Sequence, residues 1–194
     1  NFQYGLFFNE PCWPNSDVVL VVKTLKERYA QVGLKLDISV VSGPDMGVTG
    51  SLDEDPSVTG STIYIPNEVK SLFSLVPASG SDEIVLYLIR RLKYLKGAAT
   101  PEKYVATADV AAGYANKAIV GVPGLNQSNI LTGSHELLHI LLDAAHDAAH
   151  DDYPAEFADD KMLWHQTKYT PDISDTKRVS KNQETKVRSS KFSK

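Results

Sequence analysis

The sequence predicts an α+β domain, and three stretches carry that expectation. The chain opens as strand, helix, strand. A later strand over residues 117–122 leads into an apolar helix over 128–142. A last helix is expected over 180–190. Apolar residues alternate with period two in the strands and recur at three and four in the helices.

Residues 3–8 form the first expected strand, with apolar Tyr4, Leu6, Phe7 and Phe8. Pro11 and Pro14 break it, and Ser16 or Asp17 offers a helix N-cap. Val18, Val19, Val22, Leu25, Tyr29 and Val32 follow at helical spacing, and Gly33 supplies the stop. Leu34, Leu36, Ile38 and Val40 then alternate with Lys35, Asp37 and Ser39, a strand signal. This order favours a parallel pair joined by a right-handed crossover. Residues 42–60, rich in Gly, Ser, Asp and Pro, read as loop, and 61–65 as a short strand. Over 82–95 the β-branched and aromatic content suggests a strand at 84–89, although a helix also fits. Small residues over 99–115 predict loop. Gly121 and Pro123-Gly124 end the 117–122 strand, and turns are expected at 151–154 and 169–175. Asp-Ala-Ala-His occurs twice in 143–150, a unit too short to be a structural repeat.

A length of 194 residues suits one domain, with a larger lobe over 1–142 and a smaller one over 143–194. Hydrophobic residues at 42% and charged ones at 23% match a globular soluble protein. The apolar run at 18–22 stops at Lys23, far short of the ~20 residues of a membrane span. The chain begins at Asn1, which implies a removed or missing leading segment; a secreted or periplasmic setting is favoured. A single cysteine, Cys12, excludes an internal disulfide and reads as a half-buried loop residue beside Trp13. Net charge is −4; residues 176–194 hold seven Lys/Arg against one Glu, so they carry +6 and leave −10 elsewhere. That tail reads as a solvated terminal helix on an acidic body. Its basic residues lack interleaved aromatics apart from Phe192, which argues against nucleic acid.

All five histidines, at 135, 139, 146, 150 and 165, fall in one 31-residue window. His135 and His139 are four apart on a helix and share a face. Two neutral imidazoles so placed can both reach a zinc ion at ~2.0–2.1 Å. Glu136, beside the first of them, can reach a metal-activated water and act as general base. Together they form HExxH. A solvated helix face with two ordinary histidines is disfavoured, because Leu137, Leu138, Ile140 and Leu141 should bury the helix. A continuous helix at ~1.5 Å per residue would put His146 ~16 Å from His135. If His146 is a ligand, the helix must therefore stop soon after His139, and Asp143 is the expected place. No Gly or Pro lies in 140–150 to force the turn. The alternative is a helix that continues, turns at 152–154 and returns with Glu156 and Asp160 facing the metal.

These residues resemble the metzincin clan of zinc endopeptidases, whose signature is HExxHxxGxxH followed by a methionine turn. His135-Glu136-Leu137-Leu138-His139 matches its first half; Leu142 stands at the glycine, and His146 lies one position late. Met162, within Asp159-Asp160-Lys161-Met162-Leu163-Trp164-His165, is similar to the clan's methionine turn. The resemblance implies a twisted mixed sheet with an edge strand above a cleft, and a C-terminal helix flanking it. It implies zinc on His135, His139 and His146, Glu136 as general base, and Met162 as a structural floor. A peptide or protein substrate and a monomer are expected.

Two rivals stand beside it. One is a gluzincin-like peptidase with Glu156 as third ligand. The other is a non-catalytic domain stabilised by a closed zinc site, with His150 as the fourth ligand. Otherwise His150 and His165 read as surface histidines, and Trp164 and Tyr169 as pocket lining or packing. Asp143, Asp147, Asp151 and Asp152 read as a solvated acidic loop, since no calcium loop of the helix-loop-helix type is visible.

Overall fold

The computed structural model describes residues 2–7, 10–11, 15–45, 52–59, 61–75, 83–121, 130–145, 152–155, 163–164 and 178–193. Its framework is one mixed sheet. Strand β1 (Phe2–Phe7) pairs in parallel with β3 (Val40–Asp45) and with β6 (Val85–Ile89). Strand β6 pairs in parallel with β8 (Lys117–Gly121), and β7 (Gly97–Ala99) closes that side antiparallel to β8. A two-residue β2 (Glu10–Pro11) folds back antiparallel on β1. Strands β4 (Ser57–Thr59) and β5 (Thr62–Tyr64) form a separate antiparallel pair.

The central strands are buried on both faces, and their period-two pattern divides the core. Leu86, Leu88, Ala118 and Val120 join one apolar cluster; Val85, Tyr87, Ile89 and Ile119 join another. The first cluster packs against α1 (Asn15–Ala30), α4 (Ile130–Leu142) and α5 (Lys181–Arg188). The second packs against α2 (Asn67–Leu75). Parallel strands covered on both faces need such continuous apolar sequence. A short turn of 3-10 helix (Glu102–Tyr104) and α3 (Thr107–Ala111) connect β7 to β8. The capping box of Ser180 with Gln183 starts α5. Among the described residues no helix is long and apolar enough to cross a membrane.

Most predicted elements are present, with four corrections. Residues 34–39 pack Leu34, Leu36 and Ile38 on the core but join no ladder; pairing begins at Val40. Alternation reports which side chains are buried, not whether a neighbour accepts the backbone bonds. The expected loop over 42–60 contains the end of β3 and all of β4. The expected loop over 99–115 contains the end of β7, the 3-10 turn and α3. On α1 the buried face runs Val18, Val21, Leu25 and Tyr29, continued by Val32 past its end, while Val19 is 66% exposed.

Candidate functional site

Helix α4 lies between α1, β8 and the edge strand β7, and α5 packs on it as well. Leu138, Ile140, Leu141 and Leu142 are buried, and so are Glu136 and His139; His135 is partly buried. The helix thus carries a carboxyl and two imidazoles into an apolar setting, where each must find a polar partner.

Both imidazoles find the same kind of partner. The Nδ1 of His135 lies 2.7 Å from the Leu163 carbonyl oxygen, and the Nδ1 of His139 lies 2.9 Å from that of Ala144. A carbonyl only accepts, so each Nδ1 carries the proton and donates. Each Nε2 of the neutral ring then presents a lone pair. These two nitrogens stand 3.1 Å apart. Two lone pairs at that distance repel unless a proton or a cation is shared between them.

That separation fits a metal. An ion ~2.0–2.1 Å from each nitrogen would see them at roughly 95–102°, close to tetrahedral. Donation of the second ring nitrogen to a backbone carbonyl is also the usual setting of a metal-ligating histidine. Trp164, fully buried, lies under the pair, with its ring 4.5 Å from His139 and 6.2 Å from His135, centroid to centroid. Tyr153 meets the same indole edge-on at 5.3 Å. Trp164 therefore packs as an aromatic floor.

Glu136 faces the edge strand. A Cβ at Gly97 would come within 2.7 Å of Glu136 Oε1, 2.8 Å of its Cγ and 2.5 Å of Thr132 Cγ2. Only glycine lets β7 approach the carboxyl this closely. Burial pushes the Glu136 carboxyl up to about 8. Without a neighbouring cation it holds its proton at neutral pH; a divalent cation beside it would favour the carboxylate.

Helix α4 ends at Leu142, so the stop falls at Asp143. Asp143 has φ 50°, in the left-handed region. The Asp143 amide donates to the Ile140 carbonyl at 3.2 Å, and the Ala144 amide to the His139 carbonyl at 3.1 Å. These bonds define a Schellman turn with aspartate at the position usually held by glycine. Asp143 Oδ1 also accepts the Lys103 amide at 2.8 Å. Asp152 Oδ2 accepts the Tyr104 hydroxyl and the Ala145 amide, and Asp152 Oδ1 lies 3.3 Å from Lys103 Nζ. Burial acts to raise the Asp152 carboxyl, but the Tyr104, Ala145 and Lys103 donors hold it below the ordinary range. Asp143 and Asp152 are thus bonded structural residues, which corrects the expectation of a solvated acidic loop for these two.

His146, His150, His165, Met162, Glu156, Asp160, Asp147, Asp151, Tyr169 and Cys12 lie outside the described residues. Among the described residues no group of three or more His, Cys, Asp or Glu is placed to hold a metal ion. The described part of the site is the pair His135 and His139 with Glu136. Sequence reasoning missed Gly97, Tyr104 and the carbonyls of Ala144 and Leu163. Backbone acceptors leave no residue-type signal, and Gly97 falls between the 82–95 and 99–115 stretches, where no element is expected. The chain matches no protein-family model and no curated protein sequence.

Proposed function

We propose that the protein is a zinc-dependent endopeptidase of metzincin-like design. The observation that carries this reading is the pair of Nε2 atoms 3.1 Å apart, with both Nδ1 protons committed to backbone carbonyls. His135 and His139 are the two described ligands, and His146 is the third. In the HExxHxxGxxH signature the residue at the turn precedes the last histidine by three. Here left-handed Asp143 precedes His146 by three, so turn and histidine are displaced together by one residue. The one-residue lateness of His146 is then a property of the turn. The end of α4 at Leu142 also favours His146 over Glu156, whose approach needed a helix that continued.

A zinc ion held there supplies a Lewis acid and lowers the pKa of a water. Glu136 accepts a proton from the attacking water at its carboxylate and delivers it to the leaving amine. Strand β7 orients the substrate. The Gly121 amide donates to the Lys96 carbonyl and the Thr100 amide to the Lys117 carbonyl, both at 2.9 Å. With the register Gly97 to Val120 and Ala99 to Ala118, the backbone groups of Gly97 and Ala99 point away from β8. An extended peptide adding to that edge would lie directly across Glu136. Met162, the structural methionine of this reading, directly precedes Leu163, whose carbonyl accepts from His135.

The test uses the full chain, zinc, and denatured casein with a mixed-sequence fluorogenic peptide library. Glu136→Gln should retain zinc and lose at least ~10³-fold in kcat/KM, the scale of general-base catalysis with its associated charge. Cleavage by this variant at the parent's rate, or a parent that takes up no zinc, would overturn the proposal.

A further inference from the structure

The 3-10 turn at Glu102–Tyr104 makes three contacts with the segment that follows the paired histidines, although nearly forty residues separate them in sequence. The Lys103 amide is bonded to Asp143 Oδ1 at 2.8 Å. The Tyr104 hydroxyl and Lys103 Nζ both meet the Asp152 carboxylate. Asp152 in turn holds Ala145 from both sides: its Oδ2 accepts the Ala145 amide at 3.1 Å, and its own amide donates to the Ala145 carbonyl at 3.3 Å. Between Asp143 and Ala145 lies Ala144, which is doubly bonded to His139. Its amide donates to the His139 carbonyl at 3.1 Å, and its carbonyl accepts His139 Nδ1–H at 2.9 Å.

The turn is itself anchored. Asn116 Nδ2 donates to Glu102 Oε2 at 2.9 Å, and Lys191, past the end of α5, pairs with the same carboxylate. Both partners hold the Glu102 carboxyl below its ordinary range, Lys191 the more strongly.

We infer that Lys103 and Tyr104, acting through Asp143 and Asp152, are positioning residues of the metal site, setting the tautomer and aim of His139 by fixing Ala144. This inference rests on the zinc reading above. Neither aspartate groups with the paired histidines as a set of three potential ligands. Asp143 supplies the left-handed turn that presents the Ala144 carbonyl, and Lys103 holds Asp143. Asp152 and Tyr104 brace the next residue, Ala145, which leads directly into His146. Loss of such outer partners typically weakens metal binding 10–100-fold.

The experiment measures zinc affinity by chelator competition, beside stability in urea and the 15N shifts of the His139 ring, on the full chain. Asp143→Gly keeps the left-handed turn without strain but removes the bond to Lys103. It should leave the urea midpoint close to the parent's, weaken zinc about tenfold, and broaden or shift the His139 Nδ1–H signal. Asp143→Asn retains an acceptor oxygen and should bind zinc as the parent does. Tyr104→Phe should weaken zinc by about tenfold independently. If the parent bound zinc and both Asp143→Gly and Tyr104→Phe bound it equally well, this inference alone would fall. A parent that bound no zinc would remove the metal reading and this inference with it.

Discussion

Helices α1 and α4 pack side by side on one face of the sheet, and the Tyr29 hydroxyl of α1 donates to the Ser134 carbonyl of α4 at 2.7 Å. Each ends in the same turn. At the end of α1 the Gly33 amide donates to the Ala30 carbonyl at 3.0 Å and the Leu34 amide to the Tyr29 carbonyl at 3.0 Å. The corresponding bonds of α4 are those of Asp143 and Ala144. The left-handed residue is Gly33 at φ 75° in one helix and Asp143 at φ 50° in the other. Glycine adopts that conformation without steric cost, whereas a residue with a Cβ meets a penalty of ~1–2 kcal/mol, eased for Asp by its short polar side chain. The difference teaches what each turn is for. The turn after α1 only has to stop a helix. The turn after α4 also presents the carbonyl that holds His139, and its left-handed residue carries a side chain bonded to the Lys103 amide, which glycine lacks.

The largest effect expected from breaking this contrast lies at the contact of α4 with β7. Gly97→Ala places a methyl against Glu136 and Thr132. It should lower kcat/KM by about 100-fold, the scale of an ~1 Å misplacement, while zinc is retained. Leu25→Ala, on the buried face of α1, should do the reverse, costing about 2–5 kcal/mol of stability with kcat/KM of the folded protein unchanged.

Next in size is a pH effect confined to α4. Burial raises Glu136 from 4.5 to about 8 in the folded protein, so between those values the native state binds more protons than the unfolded one. The contribution is fully present below pH 4.5 and is lost as pH rises through about 8, so metal-free stability should decline across that window. Zinc should flatten the slope, because a cation favours the carboxylate. Urea titrations at stepped pH with and without zinc would show it; a metal-free stability that rose across the window would contradict it.

The smallest effects compare the two turns directly. Gly33→Ala should cost about 1 kcal/mol, from its positive φ and the nearby Arg188 guanidinium, and leave zinc affinity untouched. Asp143→Ala should cost a similar amount in urea and weaken zinc as well. Equal zinc affinities in the two variants would erase the distinction.

Much of the framework was legible in the sequence. The helix stop at Gly33, the β8 strand and the His135/His139 face all follow from local pattern, whereas the pattern over β6 fits a helix as well as a strand. Asp143 was legible as the end of α4, though not the reason it could turn. Its side chain can bond locally, and the partner it takes is the Lys103 amide, some forty positions earlier. Strand β7 was not legible, because Gly97-Ala98-Ala99 has none of the branched or aromatic residues that mark strands. The site required small residues there so that the strand could lie against α4.

By itself, then, the sequence determined the spacing that puts two imidazoles on one face with a carboxyl beside them, because helical periodicity is a local property. Only the tertiary structure decided how those groups are used. The Ala144 and Leu163 carbonyls assign the tautomers, burial raises the Glu136 carboxyl, and the 102–104 turn holds Asp143 in place. Apart from the Ala144 carbonyl, only five residues from His139, these join segments distant in sequence, and each acts through backbone groups or burial that residue type does not encode.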